Sequence, residues 1–113
     1  MSLPTLLETA KKLLLSSLVL DIEFLGTKVR ARLPNGYTLD IYYNATLQKY
    51  SYTITKDDKR VIGWDNAPHH KQVKTHPHHF HTPDGKITES KMKGNPTKDI
   101  ASILKEAKKI LKL

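Results

Sequence analysis

The spacing of apolar residues changes twice along this chain, and this change restricts the possible folds more than any other feature of the sequence. Towards both ends, apolar residues recur every three or four positions, which is the spacing of one buried face of an α-helix. Between these segments they recur at every second position, as in a strand that buries one of its two faces. The sequence therefore predicts a β-sheet between two amphipathic helices.

The predicted N-terminal helix covers residues 1–16, and Pro4 stands where proline is favoured in a first helical turn. Its apolar face consists of Leu3, Leu6, Leu7, Ala10, Leu13 and Leu14. The predicted C-terminal helix covers residues 96–113, with Thr97 as its N-cap and Asp99 near the positive end of its dipole. Its apolar face consists of Ile100, Ile103, Leu104, Ala107, Ile110 and Leu111. Each helix can therefore bury one side against a sheet.

The predicted antiparallel sheet covers residues 17–64. Asn35-Gly36 is a strong hairpin signal, since both residues readily adopt the positive φ that a tight turn requires. The other connections are also short, which favours a β-meander of about five strands. We therefore expect an α+β fold, in which the N- and C-terminal amphipathic helices pack on one face of the sheet.

Length and composition fit a single domain, residues 1–113, with one modest core. The net charge of +8 favours a polyanion or an acidic protein as partner. The chain has no cysteine, which excludes disulfides and thiolate metal sites. Its apolar segments are too short or too often interrupted by charges for a membrane span. We therefore expect a cytoplasmic protein that does not contact membranes.

Residues 65–95 are predicted to form a histidine-rich loop region, which holds all six histidines of the chain. Pro68 and Pro77 exclude a continuous helix there. His79 and His81 would share a face if their backbone is extended. Histidine can act as an acid, a base or a metal ligand near pH 7, so we expect the chemistry of the protein in this region.

One chemistry that fits these residues is acid–base cleavage of RNA by its own 2′-OH, which requires no metal or other cofactor. A neutral histidine removes one proton while a protonated histidine donates another, and Asp65 or Asn66 can orient an imidazole ring. The proton-transfer set is His70, His79 and His81. The candidate catalytic residues are His70, His79, His81, His69, His78, Asp65 and Asn66. The candidate RNA- or phosphate-binding residues are Arg60, Lys71, Lys74, Arg30 and Arg32.

A second chemistry is the binding of Zn²⁺ or another divalent transition metal, by three histidines or by two histidines and a carboxylate. The candidate ligands are His69, His79, His81 and Asp65. The protein would then be a non-enzymatic metal-binding or protein-interaction module, or it would activate water at an open metal position. A third alternative is a loop whose histidines only pack and form hydrogen bonds.

A longer motif in this region resembles a known protein family. The motif consists of Trp64-Asp65-Asn66-Ala67-Pro68-His69-His70, followed by Pro77-His78-His79 and then by His81. It is similar to the signature of the TumE family of toxin–antitoxin proteins, and the resemblance extends over most of residues 18–112. His76 and Phe80 depart from the family pattern, which usually has a large apolar residue and a basic residue at these positions.

The resemblance implies a small toxin of a type II toxin–antitoxin system, neutralised by a cognate antitoxin that is usually a helix-turn-helix DNA-binding protein. It further implies that the functional residues are Asp65, Asn66, His69, His70, His78, His79 and His81. Ribonuclease activity, with RNA as the partner, is inferred from the residues and not from the resemblance. The leucine-rich N-terminal helix offers a surface for antitoxin docking or for a homo-oligomer.

Overall fold

The computed structural model describes residues 2–113 and confirms the α+β class. Helix α1 covers Ser2–Leu14 and helix α2 covers Pro96–Leu111. The strands are β1 Asp21–Phe24, β2 Lys28–Arg32, β3 Thr38–Asn44, β4 Lys49–Lys56, β5 Lys59–Asp65, β6 His79–His81 and β7 Ile87–Glu89. They form one sheet in chain order with every neighbouring pair antiparallel, so the predicted meander is confirmed.

The sheet has seven strands, and the prediction of about five is therefore wrong in number. The two additional strands, β6 and β7, lie inside residues 65–95, which the sequence predicts to be loop. Each of them has only 3 residues, too few for an alternating apolar pattern to be recognised. Their pairing continues the sheet into the histidine-rich region and gives two of the histidines a fixed place on it.

The hairpin predicted at Asn35-Gly36 is confirmed. Asn35 has a φ of 65° and Gly36 a φ of 83°, in the left-handed region that these two residue types adopt more readily than others. The turn joins β2 to β3 in a register that pairs Val29 with Ile41. This register brings the apolar residues of both strands to the same face of the sheet.

The hydrophobic core lies between one face of the sheet and both helices, as the sequence predicts. The sheet contributes Val29, Ala31, Leu39, Ile41, Tyr50, Tyr52, Ile54, Ile62 and Trp64. The helices contribute Leu6, Ala10, Leu13, Ile100, Ile103 and Ala107. The opposite face, which we call the outer face, carries the alternate and mostly polar residues of the same strands.

Residues of the outer face stand in rows across the sheet, because neighbouring strands pair residue by residue. One row consists of Arg30, Asp40, Thr53, Gly63 and His81. The next row consists of Tyr42, Ser51, Asp65 and His79. Neighbouring strands are about 4.8 Å apart, so each row brings side chains that are distant in sequence within reach of one another.

Helix α2 is anchored to the sheet through the buried side chain of Asp99. Its N-cap is Asn95 and not the predicted Thr97: the Asn95 side-chain oxygen accepts the N–H of Thr97 at 3.0 Å. The Asp99 carboxylate accepts the Tyr52 hydroxyl at 2.7 Å and the backbone N–H groups of residues 93–94 at 3.0 and 2.9 Å. Burial and the adjoining carboxylate raise the pKa of Tyr52 above its usual range, so this hydroxyl remains a donor.

Candidate active site

Three side chains meet on the outer face where β5 and β6 pair. Asp65 is the direct cross-strand partner of His79, and His81 lies two residues further along the same face of β6. The Asp65 Oδ1 lies 2.9 Å from His79 Nε2, and the Asp65 Oδ2 lies 3.0 Å from His81 Nε2. The two Nε2 atoms are 3.2 Å apart. One carboxylate therefore holds two imidazoles, an arrangement that we call the Asp–His cluster.

His79 is the buried member of the cluster, with 1% of its surface exposed. Its Nδ1 lies 3.1 Å from the Pro77 carbonyl oxygen, which can only accept, so Nδ1 carries a proton. Its Nε2 faces the Asp65 carboxylate, which also accepts when it is ionised. A metal ion bound between these atoms would satisfy the contact, so the geometry offers a position for a cation.

His81 is the more accessible imidazole bound to Asp65, with 12% of its side chain exposed. Its Nε2–H can donate to Asp65 Oδ2, which leaves Nδ1 with a free lone pair. Burial lowers the pKa of His81, the hydrogen bond to Asp65 opposes this shift, and the positive charge of Arg60 adds to it. His81 is therefore suited to accept a proton near neutral pH.

His70 reaches the cluster from the loop that follows β5. The centre of its ring lies 4.7 Å from that of His79 and 6.3 Å from that of His81, edge-on to both. The neighbouring His69 is exposed and lines a separate cleft beside Asp65. These two consecutive histidines therefore lie in different places, and His70 is the one that adjoins the cluster.

His78 and Asn66 lie outside the cluster and bind the loop to β4. The Tyr50 hydroxyl lies 2.7 Å from His78 Nδ1, and burial raises the pKa of Tyr50 above its usual range, so this hydroxyl donates. The Asn66 side chain accepts the Tyr50 N–H at 3.1 Å and donates to the Gln48 carbonyl at 2.7 Å. Both residues were candidates for catalysis, and the contacts observed here hold the loop against the start of β4.

Among the predicted phosphate-binding residues, Arg60 lies at the cluster. The aliphatic part of the Arg60 side chain packs close to Gly63, which has no side chain. A Cβ added at Gly63 would lie 3.4 Å from Arg60 Cδ. Gly63 is the cross-strand partner of His81, which places the guanidinium charge near that imidazole. Lys71 and Lys74 are exposed on the loop. Lys74 lines a groove on the side of β7.

The two candidate phosphate-binding residues on β2, Arg30 and Arg32, are paired with carboxylates. Arg30 binds Asp40 through two hydrogen bonds of 2.8 and 3.0 Å, and Arg32 lies 3.9 Å from Asp21 and 3.7 Å from Glu23. A paired guanidinium attracts a phosphate less strongly than a free one because its charge is already compensated. Alternation along a strand predicts which residues share a face. It does not predict which carboxylates on the neighbouring strands will lie within ion-pair distance of them.

The cluster also has the composition of a metal site. Its carboxylate and two imidazole nitrogens lie within 4.8 Å of one another. In a tetrahedral zinc site with bonds of 2.0–2.1 Å, the donor atoms are about 3.3 Å apart, close to the separations in the cluster. The contact from His79 Nδ1 to a carbonyl is typical of a histidine that binds a metal through its other nitrogen. His69, the fourth predicted ligand, lines the cleft and does not belong to this group.

A cleft of about 290 Å³ opens on the outer face beside Asp65. Its walls include Tyr42, Lys49, Ser51, Asp65, Pro68 and His69. We call it the Tyr42 cleft. The first three of these residues were not candidates from the sequence, since the alternating pattern identifies them only as polar positions of strands. Their proximity to Asp65 follows from the register of β3, β4 and β5.

Comparison with known proteins identifies one family. The chain matches the sequence model of the family described as "Toxin TumE" over residues 9–111. No curated protein and no solved structure matches it significantly. Of the helices within residues 2–113, none combines the length and the apolar character needed to cross a membrane. The chain therefore belongs to the TumE family and is a toxin of a toxin–antitoxin system.

Proposed function

We propose that this toxin is an endoribonuclease and that it cleaves RNA at the Asp–His cluster by histidine acid–base chemistry. The observation that carries the proposal is the shared carboxylate: Asp65 holds His79 and His81 at 2.9 and 3.0 Å, with the His70 ring beside them. Two imidazoles in different environments are what a reaction with one proton removal and one proton donation requires.

In the proposed reaction, His81 Nδ1 removes the proton from the 2′-OH of the RNA while Asp65 orients the imidazole through Nε2. The 2′-oxygen attacks the adjacent phosphorus and the bond from phosphorus to the 5′-oxygen breaks. His70, in its protonated form, donates a proton to the leaving 5′-oxygen. The products are a 2′,3′-cyclic phosphate and a free 5′-hydroxyl, and no metal takes part in the proton transfers.

His79 has a positioning role in this proposal, because a side chain with 1% exposure cannot reach a phosphate on the surface. The His79 Nε2 contacts Asp65, and the His79 Nδ1 donates to the Pro77 carbonyl oxygen, which fixes the orientation of the His79 ring. His79 thus acts through Asp65, whereas His81 and His70 contact the substrate.

Basic residues complete the proposed site. Arg60 lies next to His81 and would stabilise the negative charge that develops on the phosphorane. Lys71 and Lys74 are exposed and would attract the RNA at longer range. Arg30 and Arg32 would contribute less to RNA binding, because carboxylates on the neighbouring strands already pair with them.

The direct test is incubation of the purified protein with total RNA and with transfer RNA, in the presence and absence of EDTA. We expect cleavage that persists in EDTA and leaves 2′,3′-cyclic phosphate ends. Absence of cleavage under all conditions would overturn the ribonuclease proposal. Cleavage with 3′-hydroxyl ends would overturn the proposed route, because attack by the 2′-OH cannot produce them.

A second candidate function is metal binding, which the acceptor-to-acceptor contact of His79 Nε2 with Asp65 favours. Zn²⁺ or a similar ion would occupy that position, with His81 as the third ligand, in a non-enzymatic or protein-interaction module. Removal of a structural zinc ion lowers thermal stability. If no metal ion is bound there, we expect the midpoint of thermal unfolding to be the same after dialysis against EDTA. A fall that zinc reverses would favour the metal.

The pH dependence of cleavage by EDTA-treated protein provides a further test. His81 must be neutral to act as a base, and burial lowers its pKa below the ordinary value of 6.5. The groups that face it are Asp65, Arg60, His79 and His70. We therefore expect cleavage to persist as the pH falls to about 6.5 and to decline only below this value. A cleavage rate that already declines well above pH 7 as the pH is lowered would contradict the role of His81.

We further propose that the partner is a helix-turn-helix antitoxin and that the toxin acts in the cytoplasm. Belonging to the TumE toxin family supports an antitoxin partner. Gel filtration of the toxin alone and with the product of a neighbouring helix-turn-helix gene would test the complex. The same experiment would show whether the toxin by itself is a homo-oligomer.

A further inference from the structure

The Tyr42 cleft adjoins the Asp–His cluster but takes no part in the proton transfers described above. Both share Asp65, which lines the cleft and binds the two imidazoles with its carboxylate oxygens. The cleft is open to solvent on the outer face of the sheet, and its walls are mainly apolar. A ligand bound in it would therefore lie directly beside the proposed reaction centre.

The register of the sheet sets the distance from the cleft to the cluster. Tyr42 pairs with Ser51, and Ser51 pairs with Asp65, so Tyr42 is two strands away from Asp65. Two strand spacings amount to about 10 Å. One nucleoside bridges such a gap, with its base at Tyr42 and its 3′-phosphate at the cluster.

The walls of the cleft suit a flat aromatic ligand. They include the half-buried Tyr42 ring on β3 and the exposed Pro68 and His69 on the loop that follows β5. The loop is held in place by Asn66, which bonds to β4, and by the Asp65 Oδ1 that accepts the Ala67 N–H at 3.0 Å. A loop fixed by such bonds loses little conformational freedom when a ligand binds beside it.

Two lysines near the cleft can attract an anionic ligand, whereas Asp65 brings one carboxylate to its wall. Lys49 is exposed at its rim, and Lys28, the cross-strand partner of Tyr42, is only loosely paired with Asp40 at 3.4 Å. Both ammonium groups can contact a phosphate backbone that crosses the strands. An aromatic ring between lysines, on a sheet face turned away from the helices, is the arrangement by which many proteins bind single-stranded nucleic acids.

We propose that the Tyr42 cleft binds one unpaired nucleobase of single-stranded RNA, stacked on the Tyr42 ring, next to the phosphodiester that is cleaved. The proposal rests on the proposed ribonuclease function and assigns unpaired RNA as the substrate class. Tyr42 supplies the stacking surface and Lys49 contacts the backbone. His69 is placed to form a hydrogen bond with the edge of the base.

Binding can be measured separately from cleavage in a His70→Ala background. The probe is a short fluorescein-labelled single-stranded RNA of mixed sequence, followed by fluorescence anisotropy. We expect Tyr42→Ala to raise the Kd about tenfold or more, since stacking of one base is lost. Tyr42→Phe retains the ring and should bind within about twofold of the parent. The same sequence annealed into a duplex should bind more weakly than the single strand.

Two matched variants show whether the effect belongs to the cleft. Phe24, an aromatic residue that is 41% exposed on β1 at the far side of the sheet, can be replaced by alanine and should leave the Kd unchanged. Tyr42→Leu preserves apolar bulk on β3 and should weaken binding like Tyr42→Ala, with an unchanged thermal midpoint. This variant separates lost stacking from lost folding.

The outcomes for the cleft and for the proposed function are distinguishable. Equal binding by Tyr42→Ala and the parent, or equal binding of duplex and single strand, would overturn the cleft proposal and leave ribonuclease activity untouched. Binding that depends on Tyr42 in a protein that never cleaves RNA would support the cleft and overturn the proposed function.

Discussion

The His81→Ala protein is expected to cleave RNA about 100-fold or more slowly than the wild type while it remains folded. His81 is the imidazole that Asp65 orients through Nε2, at 3.0 Å, and that keeps a free lone pair on Nδ1. Its removal deletes the proposed base, and no other group described at the cluster can replace that lone pair at the same position. The initial rate of cleavage of a labelled RNA measures the effect.

Two further variants make this experiment specific. His81→Gln retains an N–H that can donate to Asp65 but offers no basic nitrogen, so it should be as inactive as His81→Ala and at least as stable. His76→Ala removes an exposed histidine of the same loop that lies away from the cluster, and it should cleave at the wild-type rate. Cleavage by His81→Gln at more than a tenth of the wild-type rate would refute the role of His81 as a base.

The second large effect is expected in stability and not in catalysis. Asp99→Ala should lower the free energy of unfolding by about 3 kcal/mol or more, because three donors lose their acceptor on the core side of the sheet. The buried carboxylate accepts the Tyr52 hydroxyl and the backbone N–H groups of residues 93–94, which come shortly before α2. The thermal midpoint should fall by about 10 °C. Urea unfolding measured with circular dichroism gives the free energy directly.

Matched substitutions again define the cause. Tyr52→Phe removes one of the three hydrogen bonds and should cost about 1 kcal/mol. Asp84→Ala removes an exposed aspartate and should change stability by less than about 0.5 kcal/mol. Below its unfolding transition, Asp99→Ala should still cleave RNA, since Asp99 lies on the face opposite to the cluster. An unchanged midpoint would show that water or other groups satisfy these donors.

The helices and the central hairpin could be predicted from the sequence because their signals are local. Each apolar helical stripe repeats over three or more turns. The prediction was wrong for Leu3, Leu7 and Leu14, which are exposed on α1, and for the N-cap of α2, which is Asn95 and not Thr97. The turn at Asn35-Gly36 depends on the φ values of two consecutive residues. Propensities of this kind act within a few positions and can be recognised without knowledge of the rest of the chain.

The strands β6 and β7 could not be recognised, because each has 3 residues and they are stabilised by pairing with β5 and with each other. Contacts between segments that are distant in sequence also decided where the candidate residues lie. Asn66 and His78 fit a catalytic motif in the sequence, yet the structure uses them to attach the loop to β4. Tyr42 belongs to no motif, and it lines the same cleft as Asp65 only because of two strand registers.

The sequence by itself determined the α+β class, the two amphipathic helices and the concentration of all six histidines near Asp65. Only the tertiary structure decided which of these histidines share the carboxylate. Asp65 and His81 are separated by 16 positions, and their contact depends on the antiparallel register of β5 with β6. A shift of that register by one residue would turn His79 and His81 to the other face of the sheet, because successive side chains of a strand alternate.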